Sequence, residues 1–367
     1  MREFRNMLDV LPLTLANLQS FYGRGGHPTE IIKEVYRRIE VLDDPAIFIH
    51  LRPIADVLSD VNALQDHLDE YPLWGIPFVI KDNIDVAGLP TTAGCPAFAY
   101  VPEKSAYVVE KLCAAGAILI GKANLDQFAT GLVGVRSPYG IPRNCVHPDL
   151  VPGGSSSGSA VSVGRDLVSF ALGTDTAGSG RVPAALNNIV GLKPSLGAIS
   201  SSGVVPACRT LDTVSIFART VADAFKVFKI SCSYDEQDAY AKPLNVGGIG
   251  KKPDSFIVGV PDKKSQIFYG DELQSENYLL NLEQLKSIGA HIKEIDFAPF
   301  FQIAEMLYQG PWVAERYTVI ESLLRDNPGA VHETTAKVIG KASALAAADV
   351  FKGIYRVKEL ERIAKAK

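Results

Sequence analysis

The sequence predicts an α/β domain, with helices packed over a mostly parallel or mixed sheet. A helical stretch followed by a strand occurs twice, over Ser105–Gly121 and Glu272–Phe297. A short apolar run, Ile76–Ile80, has the character of a strand covered on both faces. With 47% apolar and 21% charged residues, the chain can fill a sizeable core in water. Helices alternating with buried strands are the pattern of this fold class.

Leu13–Tyr22 and Thr29–Val41 carry apolar residues at helical spacing, with Thr29 as N-cap and Pro12 suited to the first turn of the earlier helix. Ile54–Tyr71 continues the pattern, with Asp56, Asp60, Asp66 and Asp69 at polar positions. The strand Ile76–Ile80 then runs into a charged cluster, Lys81, Asp82 and Asp85. Ser105–Gly116 reads as a helix stopped by Gly116, and Ala117–Gly121 as the strand after it. Leu167–Leu172 is a further strand, and Ser233–Pro253 reads as an exposed loop rather than a domain boundary. Glu272–Gly289 is a helix with Leu279, Leu282 and Leu285 inward, followed by the strand His291–Phe297. His332–Lys367 is a helical tail with an Ala-rich middle and a basic end.

Several function classes are disfavoured. A net charge of −4 gives no electrostatic footprint for a nucleic-acid partner, and no apolar run is long enough to span a bilayer. Five scattered cysteines without a C-x-x-C pair read as reduced thiols in a cytoplasmic protein. Six dispersed histidines argue against a zinc site, and no metal or cofactor is expected.

Chemistry concentrates between Pro152 and Pro183. Pro152–Ala160 holds glycines that permit positive φ and close backbone approach, among small polar serines. A flexible linker and a phosphate-cradling loop are the rival readings. Structured apolar stretches follow at once, and the run lacks the Gly-Lys-Ser/Thr ending of a P-loop. In Gly173–Pro183 successive small residues lead into Ser179, an arrangement that can turn several N–H groups toward one point, as an oxyanion hole requires. Ser179 is thus a candidate nucleophile, which needs a base. No histidine lies in either run, and His147 is the nearest in sequence. Lys81, at the end of an apolar strand, is the candidate, because desolvation lowers a lysine's pKa. Pairing with Asp82 or Asp85 is the bland alternative, and chemistry alone leaves both readings open.

The Gly153–Ala160 run, the Gly173–Pro183 run and the Lys81 segment, in this order and spacing, resemble the amidase-signature family. The resemblance extends over roughly Leu13–Leu323 and implies that family's fold, a central mixed β-sheet covered by helices on both faces. Residues 1–367 then form one domain: a helical region (1–70), the signature core (71–230), a substrate-binding portion (254–330) and a helical tail (331–367). It further implies a Ser–Ser–Lys triad, with Lys81 as base, Ser155 as the bridging serine carrying a cis peptide, and Ser179, 24 residues later, as nucleophile. The N–H groups of Thr176, Ala177, Gly178 and Ser179 would form the oxyanion hole. Asp175 and Arg181 would form a structural ion pair that shapes the loop. Compared with that family, the chain reads as C-terminally shortened, without the closing strand and helices.

Within the family, Thr176–Arg181, Phe128–Gly134, Leu211–Phe217 and Leu307–Tyr317 are similar to the allophanate hydrolases. That implies a small anionic amide as substrate, hydrolysed to ammonia and N-carboxycarbamate, with Tyr308, Arg316 and Gly131 contacting it. Arg316 would offer a bidentate fork and Tyr308 a hydroxyl. They lie eight residues apart, near one face of a helix unless Pro311 interrupts it; otherwise they are an aromatic and an arginine on a helix surface. The resemblance also suggests a homodimer. Rival readings are a general amidase, the amidase-type component of a glutamyl-tRNA amidotransferase, and a scaffold with an incomplete site. The amidotransferase component usually carries Ser-Leu-Asp-Gln where this chain has Thr210–Thr213.

Overall fold

The structure is a computed structural model describing residues 8–64 and 70–367. It forms two compact units, Met1–Val246 with Glu315–Gly340, and Gly247–Ala314 with Lys341–Lys367.

The first unit opens with two helices whose ends are set by side-chain caps. Helix α1 (Leu15–Gly23) begins where Thr14 Oγ1 accepts from the N–H of Asn17 at 3.2 Å. Pro12 therefore precedes the helix, where its carbonyl accepts from the Asn17 amide. Helix α2 (Pro28–Leu42) is capped by His27 rather than Thr29. His27 Nδ1 accepts from the N–H of Thr29, while Glu30 reaches back to the N–H of His27, closing a capping box. Pro28 then takes the first helical position, where no N–H is needed. Helix α3 (Ile54–Ala63) stops earlier than its sequence pattern suggests, because Leu64 turns extended. Asp66 and Asp69 fall outside the described residues.

A six-stranded mixed sheet organises this unit. Its strands are β1 (Phe48–Leu51), β2 (Pro77–Lys81), β3 (Ile118–Ala123), β4 (Phe170–Asp175), β5 (Val190–Leu192) and β6 (Thr213–Ala218), in the spatial order β1-β3-β2-β4-β6-β5. Strands β3, β2 and β4 run parallel; β1, β6 and β5 add antiparallel edges. Every residue of β2, β3, β4 and β6 is buried. Successive side chains point to opposite faces, so complete burial means that both faces of the sheet are covered. Helices α4 (Tyr107–Ala114), α5 (Ser157–Gly164), α6 (Arg181–Leu186) and α7 (Val221–Ser231) contribute to that cover. Phe78 and Phe170 stack across β2 and β4 with centroids 5.0 Å apart.

Strand β4 begins three residues later than the apolar run Leu167–Leu172 suggests. Asp166 takes a left-handed φ of 58° and the Leu167 N–H closes back on Ser162, so Leu167 is still in the turn. The short strand β1 carries too little pattern in its four residues to be read from the sequence. The register Phe78↔Phe170 and Ile80↔Leu172 brings the C-terminal ends of β2 and β4 to the same sheet edge.

The loop 233–253 carries no helix or strand, and the first unit's run ends within it, at Val246. The second unit holds a two-stranded parallel sheet, β7 (Phe256–Pro261) with β8 (Ala290–Ile295), and helix α8 (Glu272–Ser287) beside it. Leu282 and Leu285 are half-buried as expected, but Leu279 is exposed. A sheet this narrow screens only part of the helix's length. Helix α9 (Ala298–Gln309) packs on α12 (Ala347–Lys365) within this unit. Gly310 and Pro311 separate α9 from α10 (Trp312–Asp326), so the eight-residue spacing of Tyr308 and Arg316 does not place them on one helix. Helix α11 (Glu333–Gly340) lies in the first unit. No helix among the described residues is long and apolar enough to cross a membrane.

Candidate active site

Lys81 is the last residue of β2 and is completely buried. Its Nζ lies 2.7 Å from Ser155 Oγ and 2.8 Å from Thr174 Oγ1, the latter near the end of the neighbouring strand β4. Neither adjacent carboxylate pairs with it. Asp82 forms a buried ion pair with Lys122 at 3.0 Å and accepts from the N–H of Thr92. Asp85 accepts from Thr91 Oγ1 and Tyr100 OH. The bland reading of Lys81 therefore fails: its direct partners are two hydroxyls, not a carboxylate.

Burial pushes the Lys81 pKa down, to about 7. Asp126, Asp212 and Asp175 act at longer range in the opposite direction, and Arg316 adds to the lowering. Desolvation wins because the groups touching the amine are neutral hydroxyls. A lysine poised near neutrality beside a hydroxyl can both take and return a proton.

Ser155 follows a cis Gly154–Ser155 peptide and precedes α5. Its carbonyl accepts from the N–H of Asp126, and the N–H of Gly154 donates to Leu132. The carboxylate of Asp126 accepts from the N–H groups of Gly134 at 3.0 Å and Arg136 at 2.8 Å. It also explains two glycines: a Cβ on Gly131 or on Gly154 would collide with Asp126 Oδ2. One buried carboxylate thus gathers the 131–136 loop and the Gly154–Ser155 turn.

Ser179 is buried in the turn between β4 and α6, and its hydroxyl donates to the Gly131 carbonyl at 3.5 Å. Asp175 shapes that turn. It pairs with two nitrogens of the Arg181 guanidinium at 3.0 Å and accepts from the N–H groups of Gly178 (2.8 Å), Gly180 (3.1 Å) and Arg181 (3.2 Å). Burial alone would raise its pKa, but Arg181 and these N–H groups outweigh it and hold it below the usual carboxylate range. The Gly178 N–H, one of the four donors named from the sequence, is thereby engaged by Asp175. Thr176 contributes its hydroxyl to Asp212, whose carboxyl burial holds above its ordinary value.

Arg316, on α10, is buried and donates to Thr130 Oγ1 at 3.0 Å and the Ala129 carbonyl at 3.4 Å. It therefore flanks Gly131, whose carbonyl receives Ser179. Tyr308 belongs to the second unit, on α9. His147 lies on the surface beside Asp149. Among the described residues no cluster of His, Cys, Asp and Glu could hold a metal ion. Thr174, Asn83, Asp126 and Asp212 were not singled out in the sequence. Thr174 was the findable one, because it lies near the end of a buried strand within the Gly173–Pro183 run.

A model of the family described as Amidase matches residues 30–354. The chain belongs to the amidase family. Among its relatives, urea amidolyase of Lachancea kluyveri is 48% identical over 320 residues, covering 86% of this chain and 17% of that protein. The structure of selenomethionine-substituted allophanate hydrolase of Kluyveromyces lactis superposes with a TM-score of 0.89 at 42% identity, over 96% of this chain and 58% of that one. A glutamyl-tRNA(Gln) amidotransferase component from Methanosarcina acetivorans is 37% identical over 269 residues, 70% of this chain and 55% of that protein. The amidase chain thus spans a small part of the urea amidolyase it matches.

In this amidase the Asp82–Lys122 pair braces the strand that presents Lys81. Lys122→Met should lower stability by about 3–5 kcal/mol in urea denaturation, because it strands a buried carboxylate. Adding Asp82→Asn should recover part of that loss.

Proposed function

We propose that this amidase hydrolyses small amides through a Ser–Ser–Lys relay, with allophanate as its substrate. The supporting observation is the buried Lys81 amine, held by hydroxyls and 2.7 Å from Ser155 Oγ. Neutral Lys81 takes the Ser155 proton as Ser155 takes that of Ser179. Ser179 Oγ adds to the amide carbon, and the turn Thr176–Ser179 receives the oxyanion. With the Gly178 N–H directed to Asp175, the donors of this proposal are those of Thr176, Ala177 and Ser179. The C–N bond then breaks, the relay proton leaves with ammonia, and water hydrolyses the acyl-enzyme. From allophanate the second product is N-carboxycarbamate, which decomposes to carbon dioxide and ammonia.

Allophanate is favoured by likeness to a urea amidolyase and an allophanate hydrolase, and by the position of Arg316. A buried guanidinium beside Gly131 would attract the carboxylate of a small anion. Asp175 and Arg181 would hold the donor turn without touching the substrate.

Ser179→Ala should abolish ammonia release from allophanate while leaving the thermal unfolding transition in place. Wild-type turnover in this variant would remove Ser179 from the role. Because Lys81 acts as a base, kcat/KM should rise about tenfold per pH unit below about 7 and level off above it. A falling limb in that range would mean that the ammonium form is active. Arg316→Met should reduce allophanate hydrolysis at least about tenfold more than propionamide hydrolysis, in proportion to one charge-assisted hydrogen bond. Equal losses would make Arg316 structural, and preference for glutamine in the same assay would favour an amidotransferase component.

A further inference from the structure

Resting on the relay and the donor turn proposed above, we infer that Thr213 and Asp212 are positioning residues for the oxyanion. Together they brace the Asp175–Thr176 peptide and aim its N–H toward the side of the sheet where Ser155 lies. Strands β4 and β6 pair antiparallel as far as Asp175 opposite Thr213. In such a ladder the backbone groups of successive residues turn alternately toward the partner strand and away from it. At Thr174 they turn away: its N–H lies 3.4 Å from Ser156 Oγ, and its carbonyl accepts from that hydroxyl at 3.2 Å. At Asp175 they turn back, and the carbonyl accepts from the buried Thr213 Oγ1 at 2.9 Å. A carbonyl only accepts, so here the threonine donates. The peptide is planar and trans, so its N–H, that of Thr176, points opposite to the pinned carbonyl. It therefore faces the Ser156 side of β4, next to Ser155, whose Oγ is 2.7 Å from Lys81 Nζ.

A second tie lies one residue further along both strands. Thr176 and Asp212 are next in register, and the hydroxyl of one meets the carboxyl of the other. The carboxyl is itself fixed by the N–H groups of Ala207 at 2.8 Å and Cys208 at 3.1 Å. This tie holds whichever partner donates, because its work is to restrain the Thr176 side chain. Turning the Thr176 N–H away means rotating the peptide plane, which takes the carbonyl off Thr213. Asp212 steadies the Thr176 end about which that plane turns. A donor aimed before charge develops costs no reorganisation in the transition state, and the two ties supply that aim without any need to touch the substrate.

The role has a signature that packing alone lacks. The oxyanion exists in the transition state and not in the bound amide, so the loss should fall on kcat rather than KM. The rising limb of the pH profile should stay in place, because removing a threonine hydroxyl leaves the charges around Lys81 unchanged.

The test uses the full chain with Thr213→Val, Thr213→Ser and Thr176→Val, following ammonia release from allophanate between about pH 5 and 9. The affinity of propylboronic acid is measured alongside. Its boron bonds to a serine oxygen as the serine proton leaves, giving a tetrahedral anion that resembles the intermediate. Thr213→Val should lower kcat about tenfold, the worth of one hydrogen bond, with KM changed less than about twofold. Boronate affinity should fall by a similar factor, and Thr213→Ser, which keeps the hydroxyl, should recover most of both losses. If Thr213→Val does not fold, Thr176→Val cuts the other tie and should lower kcat and boronate affinity in the same way. A kcat within about twofold of wild type, a loss carried by KM, a serine variant no better than valine, or a displaced limb would overturn the inference. Ser179→Ala separates the two levels. If it stays active, the relay falls and the brace with it; if it is inactive while Thr213→Val keeps full kcat, only the brace falls.

Discussion

The arrangement rests on one constraint: an amine buried at the end of a strand with hydroxyls, not carboxylates, as its direct partners. An ammonium in an apolar interior is costly, and proteins usually answer that cost with a paired acid. Here the contacts of Lys81 are hydroxyls, and the carboxylates of Asp126, Asp175 and Asp212 act on it only at longer range. The balance leaves the amine near neutrality, where a base is useful. A carboxylate moved into contact would restore the ammonium, and with it an inert structural lysine.

The same sheet contains the contrasting case. Lys122 is buried as completely as Lys81, yet it is paired with Asp82 and holds Thr91 and the Pro90 carbonyl. Register explains the difference. Lys122 stands opposite Ile80 and Ala123 opposite Lys81, so the two lysines project from opposite faces of the sheet. Asp82, one residue after Lys81, follows the alternation to the Lys122 face. Sequence adjacency is what keeps Asp82 away from Lys81, and a spacing of two is what lets Asn83 return to Thr174.

Much of this was legible in the sequence, for identifiable reasons. Strand β2 announced itself as an apolar run with a charge at its end, and the Gly/Ser runs declared turns that only small residues can make. Cap identities and helix ends were less readable, as with His27 in place of Thr29, because they depend on which side chain reaches a free N–H. The pairing at Lys81 could not be decided from sequence, since Asp82 and Asp85 sit beside it on the chain. Their partners, Lys122, Thr91 and Tyr100, come from elsewhere in the sequence, and only the register selects them. Asp126 was silent for the same reason. Its role is visible in the glycines that crowd it, Gly131 and Gly154, which lie on two separate segments.

Asp126 also indicates why so many small residues converge here. In the relay proposed above, a nucleophile, a bridging hydroxyl and a base would have to meet within hydrogen-bond distance, and each comes from a different segment. Bulk would separate them. The chain instead brings backbone against backbone, and a buried carboxylate supplies the acceptors that such close approach leaves unsatisfied: Asp126 for Gly134 and Arg136, Asp175 for Gly178, Gly180 and Arg181. Both carboxylates also favour the charged form of Lys81 from a distance. Loop architecture and base strength are therefore coupled. A substitution that neutralised either acid would loosen a turn and lower the lysine's affinity for its proton together.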